Sequence, residues 1–266
     1  MDNETTVHIA RFRADGLTNV EDIVAVEEPL EIFIDDEPFY MTMRSPGLER
    51  ELALGLCFAD GHIDSLDDVA LLMYCDDDTG NRVDIRLNQQ RKAVNGVSAN
   101  GKASSIYSSC GICGKDMIDE IRRKIPVRST GFATPSQRIE EIIDTLDECQ
   151  EVFSRTGGTH AAAVFDKDWG MLAFAEDVGR HNALDKAIGK TVLMDRLQDI
   201  AAIGLTSRLS YEMVLKTGRT PAQILVGISA PTSLGIDLAR EINLTVVGFA
   251  KKGRFNIYSA PERIST

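Results

Sequence analysis

Residues 224–250 read ILVGISAPTSLGIDLAREINLTVVGFA, and this stretch decides the fold. An apolar run (224–229) leads through a turn into a helical pattern (233–243), and a second apolar run (244–250) follows. Short continuous apolar runs are typical of strands buried on both faces, and a helix between two such strands is a unit of an α/β sheet. The stretch therefore predicts a strand, a helix and a second buried strand.

The same alternation extends back from this unit towards residue 135. Apolar runs and amphipathic segments follow one another, and Gly or Pro separates several of them. Strands alternating with helices indicate a three-layer α/β domain, which we place at residues 116–266. The predicted elements before residue 224 are a helix at 135–158, strands at 160–166 and 171–177, a helix at 178–190, a strand at 200–207 and a helix at 210–218.

The N-terminal third contains more strand patterns than helix patterns. Its one helical stretch has Ser45 as a candidate N-cap, Pro46 at the first helical position and Gly61 after the end. The fold class is therefore α/β, with a smaller, strand-rich α+β domain at residues 1–87. The predicted elements are a strand hairpin over 23–41 that turns at 35–38, a helix over 45–61, and strands over 69–75 and 82–87.

Between these two parts the pattern disappears. Residues 88–109 are rich in Gly, Ser, Asn, Lys and Gln and show no sustained period. A connection longer than about 12–15 residues without secondary structure is usually functional or disordered. Cys110 and Cys113 come directly after it, so we predict a mobile loop at 88–115 that carries a Cys-x-x-Cys pair.

Composition limits the classes of partner. The 266 residues include 29 basic and 41 acidic side chains, which gives a formal charge of −12. Such a surface repels nucleic acid and anionic membranes, so we expect neither as a partner. The sequence has no apolar run of the ~18 residues that a membrane span needs, and residues 1–16 lack the apolar stretch of a signal peptide, so we expect neither segment. Five cysteines cannot all pair internally, and we expect a cytoplasmic protein with reduced thiols.

The Cys-x-x-Cys pair has several possible chemistries. A structural zinc ion needs about four ligands, but Cys57, Cys75 and Cys149 are isolated and the four histidines show no paired spacing. We therefore expect no metal and, in particular, no zinc. A thioredoxin-type centre needs a strand directly before the pair, and none is predicted. Residues 114–125 have a helical pattern that Pro126 ends. A thiol pair before a helix start favours the thiolate and suits a group carried between proteins. Two incidental cysteines in a loop are the alternative.

Three stretches of the α/β part are suited to an anion. Residues 224–235 and 175–186 each leave a strand and open a helix, whose free N–H groups bind phosphate readily. The second of these presents Arg180 and His181. The third, residues 248–259, contains a basic cluster after the last predicted strand. Ligands of α/β sheets bind outside the carboxyl ends of the strands, so we predict a phosphate-bearing ligand there.

Five motifs together resemble the FdhD/NarQ family of formate dehydrogenase accessory sulfurtransferases. The likeness runs from about Val26 to Tyr258, which is nearly the whole chain. The motifs are SCGICG (109–114), RTGGTHAAAV (155–164), EDVGRHNALDKAIG (176–189), SAPTSLGIDLA (229–239) and VGFAKKGRFNIYS (247–259).

The resemblance implies a function. Members accept sulfur from a cysteine desulfurase as a persulfide and pass it to the molybdenum cofactor, in its bis-molybdopterin guanine dinucleotide form, for formate dehydrogenase. Cys110 would be the persulfide carrier and Cys113 its assisting partner. GDP would be an analogue of the cofactor's guanine end, and a homodimer is expected. The cofactor-binding stretch would be Phe249, Ala250, Lys251, Lys252, Gly253 and Arg254.

The second half of this family is similar to the cytidine deaminase fold, but the deaminase zinc site is missing here. Zinc deaminases need H-x-E on one helix and P-C-x-x-C on the next. His181 is followed by Asn182 and Ala183, and residues 231–235 contain no cysteine. A pocket that is kept without its metal would place His181 and Ser229 near the cofactor.

Two other classes of function stay open. In the first, the cysteine pair is a thiol redox switch that controls a nucleotide- or cofactor-binding chaperone. In the second, the chaperone binds the cofactor and the cysteines are dispensable.

Overall fold

The computed structural model describes residues 3–77, 80–98, 122 and 125–265. Cys110 and Cys113 lie outside the described residues. The N-terminal elements are β1 (Glu4–Arg13), β2 (Gly16–Ala25), β3 (Glu28–Ile34), β4 (Glu37–Arg44), α1 (Glu49–Ala59), β5 (Val69–Asp77), β6 (Gly80–Leu87) and α2 (Gln89–Ser98). The C-terminal elements are β7 (Thr134–Pro135), α3 (Gln137–Cys149), α4 (Glu151–Thr156), β8 (His160–Asp166), β9 (Met171–Asp177), α5 (Arg180–Leu193), β10 (Ile200–Leu205), α6 (Tyr211–Arg219), β11 (Ile224–Gly227), α7 (Ser233–Glu241), β12 (Thr245–Lys251), β13 (Arg254–Ser259) and β14 (Ile264–Ser265).

A six-stranded sheet forms the C-terminal half, in the order β13-β12-β11-β10-β8-β9. β10, β11 and β12 are parallel, β8 is antiparallel to both of its neighbours, and β13 is antiparallel to β12. The strand–helix–strand unit predicted at 224–250 is β11, α7 and β12, so this prediction is confirmed. The strands and helices predicted between residues 160 and 218 are also present, as β8, β9, α5, β10 and α6.

Helices cover both faces of this sheet. Alternate residues of a strand point to opposite faces, and β8 follows this rule. Ala161 and Ala163 pack in the cluster that contains α3, whereas Ala162 and Val164 pack in the larger cluster that contains α5, α6 and α7. The predicted three-layer α/β arrangement is therefore confirmed.

The N-terminal sheet has four strands in the order β4-β3-β6-β5. Its inner side chains, among them Leu30, Ile32 and Val83, belong to the same hydrophobic cluster as α1 and α5. The buried core therefore runs without a break from this sheet to the helices of the C-terminal half. The division into parts at residues 1–87, 88–115 and 116–266 stays a prediction.

Two glycines allow α1 and α5 to cross closely. A Cβ on Gly189 would lie 1.7 Å from the carbonyl oxygen of Glu51, and a Cβ on Gly55 would lie 1.9 Å from that of Asp185. Both obstacles are backbone atoms of the facing helix, which cannot rotate away. The crossing therefore needs glycine at both positions.

A separate two-stranded hairpin precedes the sheets. β1 and β2 pair from Glu4 with Ala25 to Arg13 with Gly16. An ion pair of 2.7 Å between Arg155 and Glu4 joins this hairpin to α4. The sequence analysis assigned no strand to β1, because its charged and polar side chains hide the alternation.

Several predicted boundaries are wrong. α1 begins at Glu49 rather than at Pro46, because Gly47 and Leu48 have left-handed backbones (φ 90° and 60°). The Ser45 hydroxyl also accepts the Val178 N–H at 3.1 Å instead of capping a helix. Residues 88–109 were predicted to lack secondary structure, but α2 occupies Gln89–Ser98. The helix predicted at 135–158 is two helices, α3 and α4, which meet at Gln150. The last predicted strand is followed by one more, β13.

Candidate functional site

The three predicted anion-binding stretches meet at one edge of the C-terminal sheet. β9, β10, β11 and β12 all end there, since β9 lies parallel to β10 through the antiparallel β8. The Leu209 N–H donates to the Ala230 carbonyl oxygen at 3.0 Å, and the Phe249 N–H donates to that of Ser229 at 3.0 Å. These backbone bonds bring the ends of β10, β11 and β12 side by side, at what we call the carboxyl edge.

Asp177 fixes the start of α5 at this edge. Its buried carboxylate accepts the Gly179 N–H at 2.8 Å and an amide hydrogen of Asn182 at 3.0 Å. The Lys186 ammonium lies 2.7 Å from the same carboxylate and is itself buried. Lys186 also donates to the carbonyl of Ser45, which ties β4 to the α5 start. The orientation of the next residues on α5 is thus set by a buried polar network.

His181 is held by a carboxylate of the neighbouring helix. Its Nε2 lies 2.5 Å from an oxygen of Glu212 on α6. The hydrogen bond from His181 lowers the pKa of Glu212, while burial opposes this shift. One turn further along the two helices, Lys216 contacts both oxygens of Asp185 at 2.7 Å. The imidazole predicted as a ligand contact therefore has a defined orientation.

The predicted cofactor-binding stretch is the end of β12 and the turn into β13. Phe249 has a left-handed backbone (φ 51°) and a 46% exposed side chain, whereas Ala250 is fully buried in the core. Lys251, Lys252, Gly253 and Arg254 are exposed. The side chain of Ala250 therefore does not face a ligand, while that of Phe249 is free to do so.

Two of these residues already contact α3. Lys252 lies 3.4 Å from a carboxylate oxygen of Asp144, and the Gly253 N–H donates to Glu140 at 3.1 Å. Gly253 has a left-handed backbone (φ 74°) that suits its turn. These contacts place the basic turn (residues 251–254) on the α3 side of the sheet. The hydrogen bond from the Phe249 N–H to the Ser229 carbonyl oxygen connects this turn to the carboxyl edge.

The sequence analysis missed two residues at the carboxyl edge. His160 begins β8 opposite Asp177, and Arg208 lies three residues after the end of β10. Burial lowers the pKa of His160, and the charges of Arg180 and Arg208 lower it further. Their side chains come together because β8 lies between β9 and β10, which no local sequence signal indicates.

Sequence comparisons agree on the family. A sequence model described as the FdhD/NarQ family matches residues 25–265. The chain belongs to the FdhD/NarQ family. It is 36% identical over 257 residues to a "Sulfur carrier protein FdhD" from Anaeromyxobacter dehalogenans, covering 92% of this chain and 89% of that protein. It is 37% identical over 259 residues to a protein of the same name from Sulfolobus acidocaldarius, covering 97% of each.

A solved structure shares the fold of this FdhD/NarQ chain. It is the crystal structure of a candidate formate dehydrogenase accessory protein from Desulfotalea psychrophila, with a TM-score of 0.80 and 24% identity. The alignment covers 99% of this chain and all of the other one. At this identity the likeness shows the fold.

The described residues on either side of Cys110 and Cys113 are anchored at the end of the sheet opposite to the carboxyl edge. On the N-terminal side, Arg91 of α2 donates to the carbonyls of Gly61 and His62 at 2.5 and 2.7 Å and contacts the carboxylate of Asp64. Arg219, the last residue of α6, also contacts Asp64, at 3.0 Å. Although burial opposes ionisation, the hydrogen bonds from the two arginines lower the pKa of Asp64.

The C-terminal flank is anchored beside the same helix end. Buried Arg128 donates to the carbonyls of Gly218 and Thr220 at 3.1 Å and of Ala222 at 2.6 Å. Burial, together with the charge of Arg263, lowers the pKa of Arg128 to about 10. α6 begins at the carboxyl edge and ends at the amino ends of the strands. Both flanks of the cysteine segment therefore start at the end of the sheet opposite to the carboxyl edge.

Two observations bear on metals and membranes. Among residues 3–77, 80–98, 122 and 125–265, no three His, Cys, Asp or Glu side chains come together as a metal site requires. The expected absence of zinc stays a prediction. In the described part of the chain, no helix is long and apolar enough to cross a lipid bilayer.

Proposed function

We propose that this protein is a sulfur carrier that takes persulfide sulfur from a cysteine desulfurase and transfers it to the molybdenum cofactor, as a sulfurtransferase required for formate dehydrogenase activity. The observation that carries the proposal is the family match over residues 25–265, which contains the pair Cys110 and Cys113. The relatives named above as sulfur carrier proteins support it.

Loading is a thiol exchange on Cys110. The Cys110 thiolate attacks the terminal sulfur of the desulfurase persulfide, and the sulfur–sulfur bond of the donor breaks. The donor cysteine leaves as a thiolate, and a persulfide forms on Cys110, so no net oxidation or reduction occurs. In delivery, the Cys113 thiolate attacks the inner sulfur of the Cys110 persulfide, a Cys110–Cys113 disulfide forms, and the terminal sulfur leaves as sulfide to the cofactor. A cellular dithiol reductant then reduces the disulfide and restores both thiols.

The cofactor is the substrate of this reaction, and the carboxyl edge suits it. Its guanine dinucleotide ends carry phosphates and flat rings. Lys251 and Arg254 are exposed and have no carboxylate partner in the described part of the chain, so their charges are available to an anionic ligand. The left-handed, exposed Phe249 offers a ring face next to Ser229, and His181 offers an oriented imidazole. The proposal includes the likeness of the C-terminal half to a cytidine deaminase fold that has lost its zinc site.

The test uses a strain that lacks its own copy of this gene and carries either the unaltered chain or Cys110→Ala. We expect Cys110→Ala to abolish formate dehydrogenase activity and the mass increase of one sulfur atom after incubation with desulfurase and cysteine. Cys149→Ala is the matched control, since Cys149 is a partly buried free thiol at the end of α3 and lies outside the Cys-x-x-Cys pair. Unchanged formate dehydrogenase activity with Cys110→Ala would contradict the proposal.

The same experiment separates the alternative functions. A redox switch would give a Cys110–Cys113 disulfide and no persulfide on the unaltered protein. A cofactor chaperone with dispensable cysteines would keep formate dehydrogenase active in the Cys110→Ala strain. Only the sulfur-carrier function requires both a persulfide on Cys110 of the unaltered protein and loss of formate dehydrogenase activity in the Cys110→Ala strain.

A further inference from the structure

Four basic side chains from three separate segments converge at the carboxyl edge. The β8–β9 register pairs His160 with Asp177, and Arg180 and His181 follow that aspartate at the start of α5. The backbone of Thr206 bonds to that of Ala161 at 3.1 Å, which brings the loop of Arg208 beside the start of β8. The cluster is therefore built by the sheet topology rather than by one run of basic residues.

The carboxylates near this cluster are already occupied. Asp177 is buried and paired with Lys186 at 2.7 Å, and Glu212 is paired with His181 at 2.5 Å. Within the described part of the chain, neither Arg180 nor Arg208 has a carboxylate within ion-pair distance. The chain carries a formal charge of −12, yet no carboxylate of the described residues pairs with these two guanidinium groups.

Two polar atoms beside the cluster also lack partners. The Nε of Arg180 and the hydroxyl oxygen of Ser210 are buried and have no hydrogen-bond partner among the described residues. Buried polar atoms in folded proteins are nearly always paired with protein, water or a ligand, so these two atoms can still bond to a ligand at this edge. Ser210 directly precedes α6, whose first N–H groups point towards the same edge.

We infer that Arg180 and Arg208, together with His160 and the hydroxyl of Ser210, form a pyrophosphate-binding subsite at the carboxyl edge. The inference rests on the proposed function and assigns the phosphates of the guanine dinucleotide to these residues. The subsite is distinct from the basic turn at Lys251–Arg254, two of whose residues contact α3 on one face of the sheet. Two arginines provide the planar donor pairs that bind phosphate oxygens in a bidentate manner.

The electrostatics of His160 support this subsite. Burial lowers its pKa, and repulsion from Arg180 and Arg208 acts in the same direction, whereas Asp177 acts against it. An anion between the arginines would cancel their repulsion and allow His160 to donate a hydrogen bond. A bound anion would therefore reduce the electrostatic repulsion among these basic side chains.

The experiment is calorimetric titration of GDP and, separately, of inorganic pyrophosphate into the unaltered protein and into Arg208→Ala. Arg208 is exposed, so its removal leaves the core intact. We expect Arg208→Ala to weaken both ligands about ten- to a hundredfold, the range for loss of one charge-assisted contact. Arg208→Lys should recover part of the affinity. The matched control is Arg240→Ala, an exposed arginine on α7, which should bind both ligands normally.

Two results would overturn the subsite. One is equal affinity of Arg208→Ala and the unaltered protein for pyrophosphate. The other is loss of pyrophosphate binding in Arg254→Ala but not in Arg208→Ala, which would place the phosphates on the basic turn. Neither result depends on Cys110. Failure of persulfide loading in the unaltered protein would contradict the sulfur-carrier proposal and leave the binding result standing.

Discussion

At the residue scale, the environments of His160, His181 and Arg208 arise from contacts between separate segments of the chain. His181 was predicted because it opens a helix directly after a strand, and the structure places it at the carboxyl edge. Its contact with Glu212 could not be predicted, because the two residues lie on different helices that meet only in the folded chain. The same holds for His160 and Arg208, which belong to segments joined by β8–β10 pairing. Whether these residues bind a ligand stays a prediction.

The pH dependence of GDP binding tests the environment of His160. The side chains that influence it are Arg180, Arg208 and His181, which disfavour its protonation, and Asp177, which favours it. Its pKa is lowered in the free protein and should rise when an anion screens the arginines. The complex then holds more protons than the free protein, so binding should tighten as the pH falls from about 8 to about 6.

The phosphates of GDP also titrate, so the prediction is tested by comparing the pH dependence of GDP binding between two proteins. Calorimetry at three pH values compares the unaltered protein with His160→Gln, which keeps a polar side chain but cannot gain the proton. We expect the glutamine variant to show the weaker pH dependence. Identical pH profiles would mean that His160 takes no part in binding.

At the element scale, buried strands were predicted well and polar elements were missed. β8, β10, β11 and β12 have apolar runs because helices cover both faces of the sheet. α2 contains Asn95, Gly96 and Ser98, which are weak helix formers, and it is held by the contacts of Arg91 with the end of α1. β13 begins with an exposed arginine and pairs on one side only, so its pattern is faint. α2 and β13 form because of tertiary contacts, which the local composition does not reveal.

The crossing of α1 and α5 gives a stability prediction at this scale. Gly189→Ala should destabilise the protein by about 3 kcal/mol or more, because the new methyl group meets backbone atoms of α1 that cannot move without parting the helices. In an exposed helix the same change would stabilise by roughly 1 kcal/mol. The measurement is the free energy of unfolding in urea.

Gly218→Ala on α6 is the matched control. A Cβ there would meet the terminal methyl groups of Ile125 and Ile242, each at 3.1 Å, and these flexible ends can shift by a few tenths of an ångström. We expect a much smaller loss than for Gly189→Ala. Equal losses of unfolding free energy for the two variants would show that the helix crossing does not require glycine at position 189.

At the scale of the whole molecule, the two ends of the C-terminal sheet have different contacts. The carboxyl edge gathers the basic side chains and the oriented His181. The opposite end holds both flanks of the cysteine segment, through Arg91 and Arg128.

α6 connects the two ends of the sheet and has nine residues, so it spans about 13 Å. The twelve residues after Ser98, up to Cys110, can extend to at most about 43 Å. The chain is therefore long enough for one molecule to serve both ends.

This separation predicts that loading and cofactor binding fail independently. Arg208→Ala should take up sulfur from the desulfurase as fast as the unaltered protein, because Cys110 exchanges with its donor without using the carboxyl edge. Cys110→Ala should bind GDP with unchanged affinity, since the described flanks of the cysteine segment lie at the other end of the sheet. Both variants should nevertheless lose formate dehydrogenase maturation, because delivery needs a loaded thiol and a bound cofactor together. Persulfide mass spectrometry, GDP calorimetry and formate dehydrogenase activity are measured on both proteins. A folded Arg208→Ala protein that fails to load sulfur would show that the desulfurase contacts the carboxyl edge, and a Cys110→Ala protein that fails to bind GDP would show that the two ends are coupled.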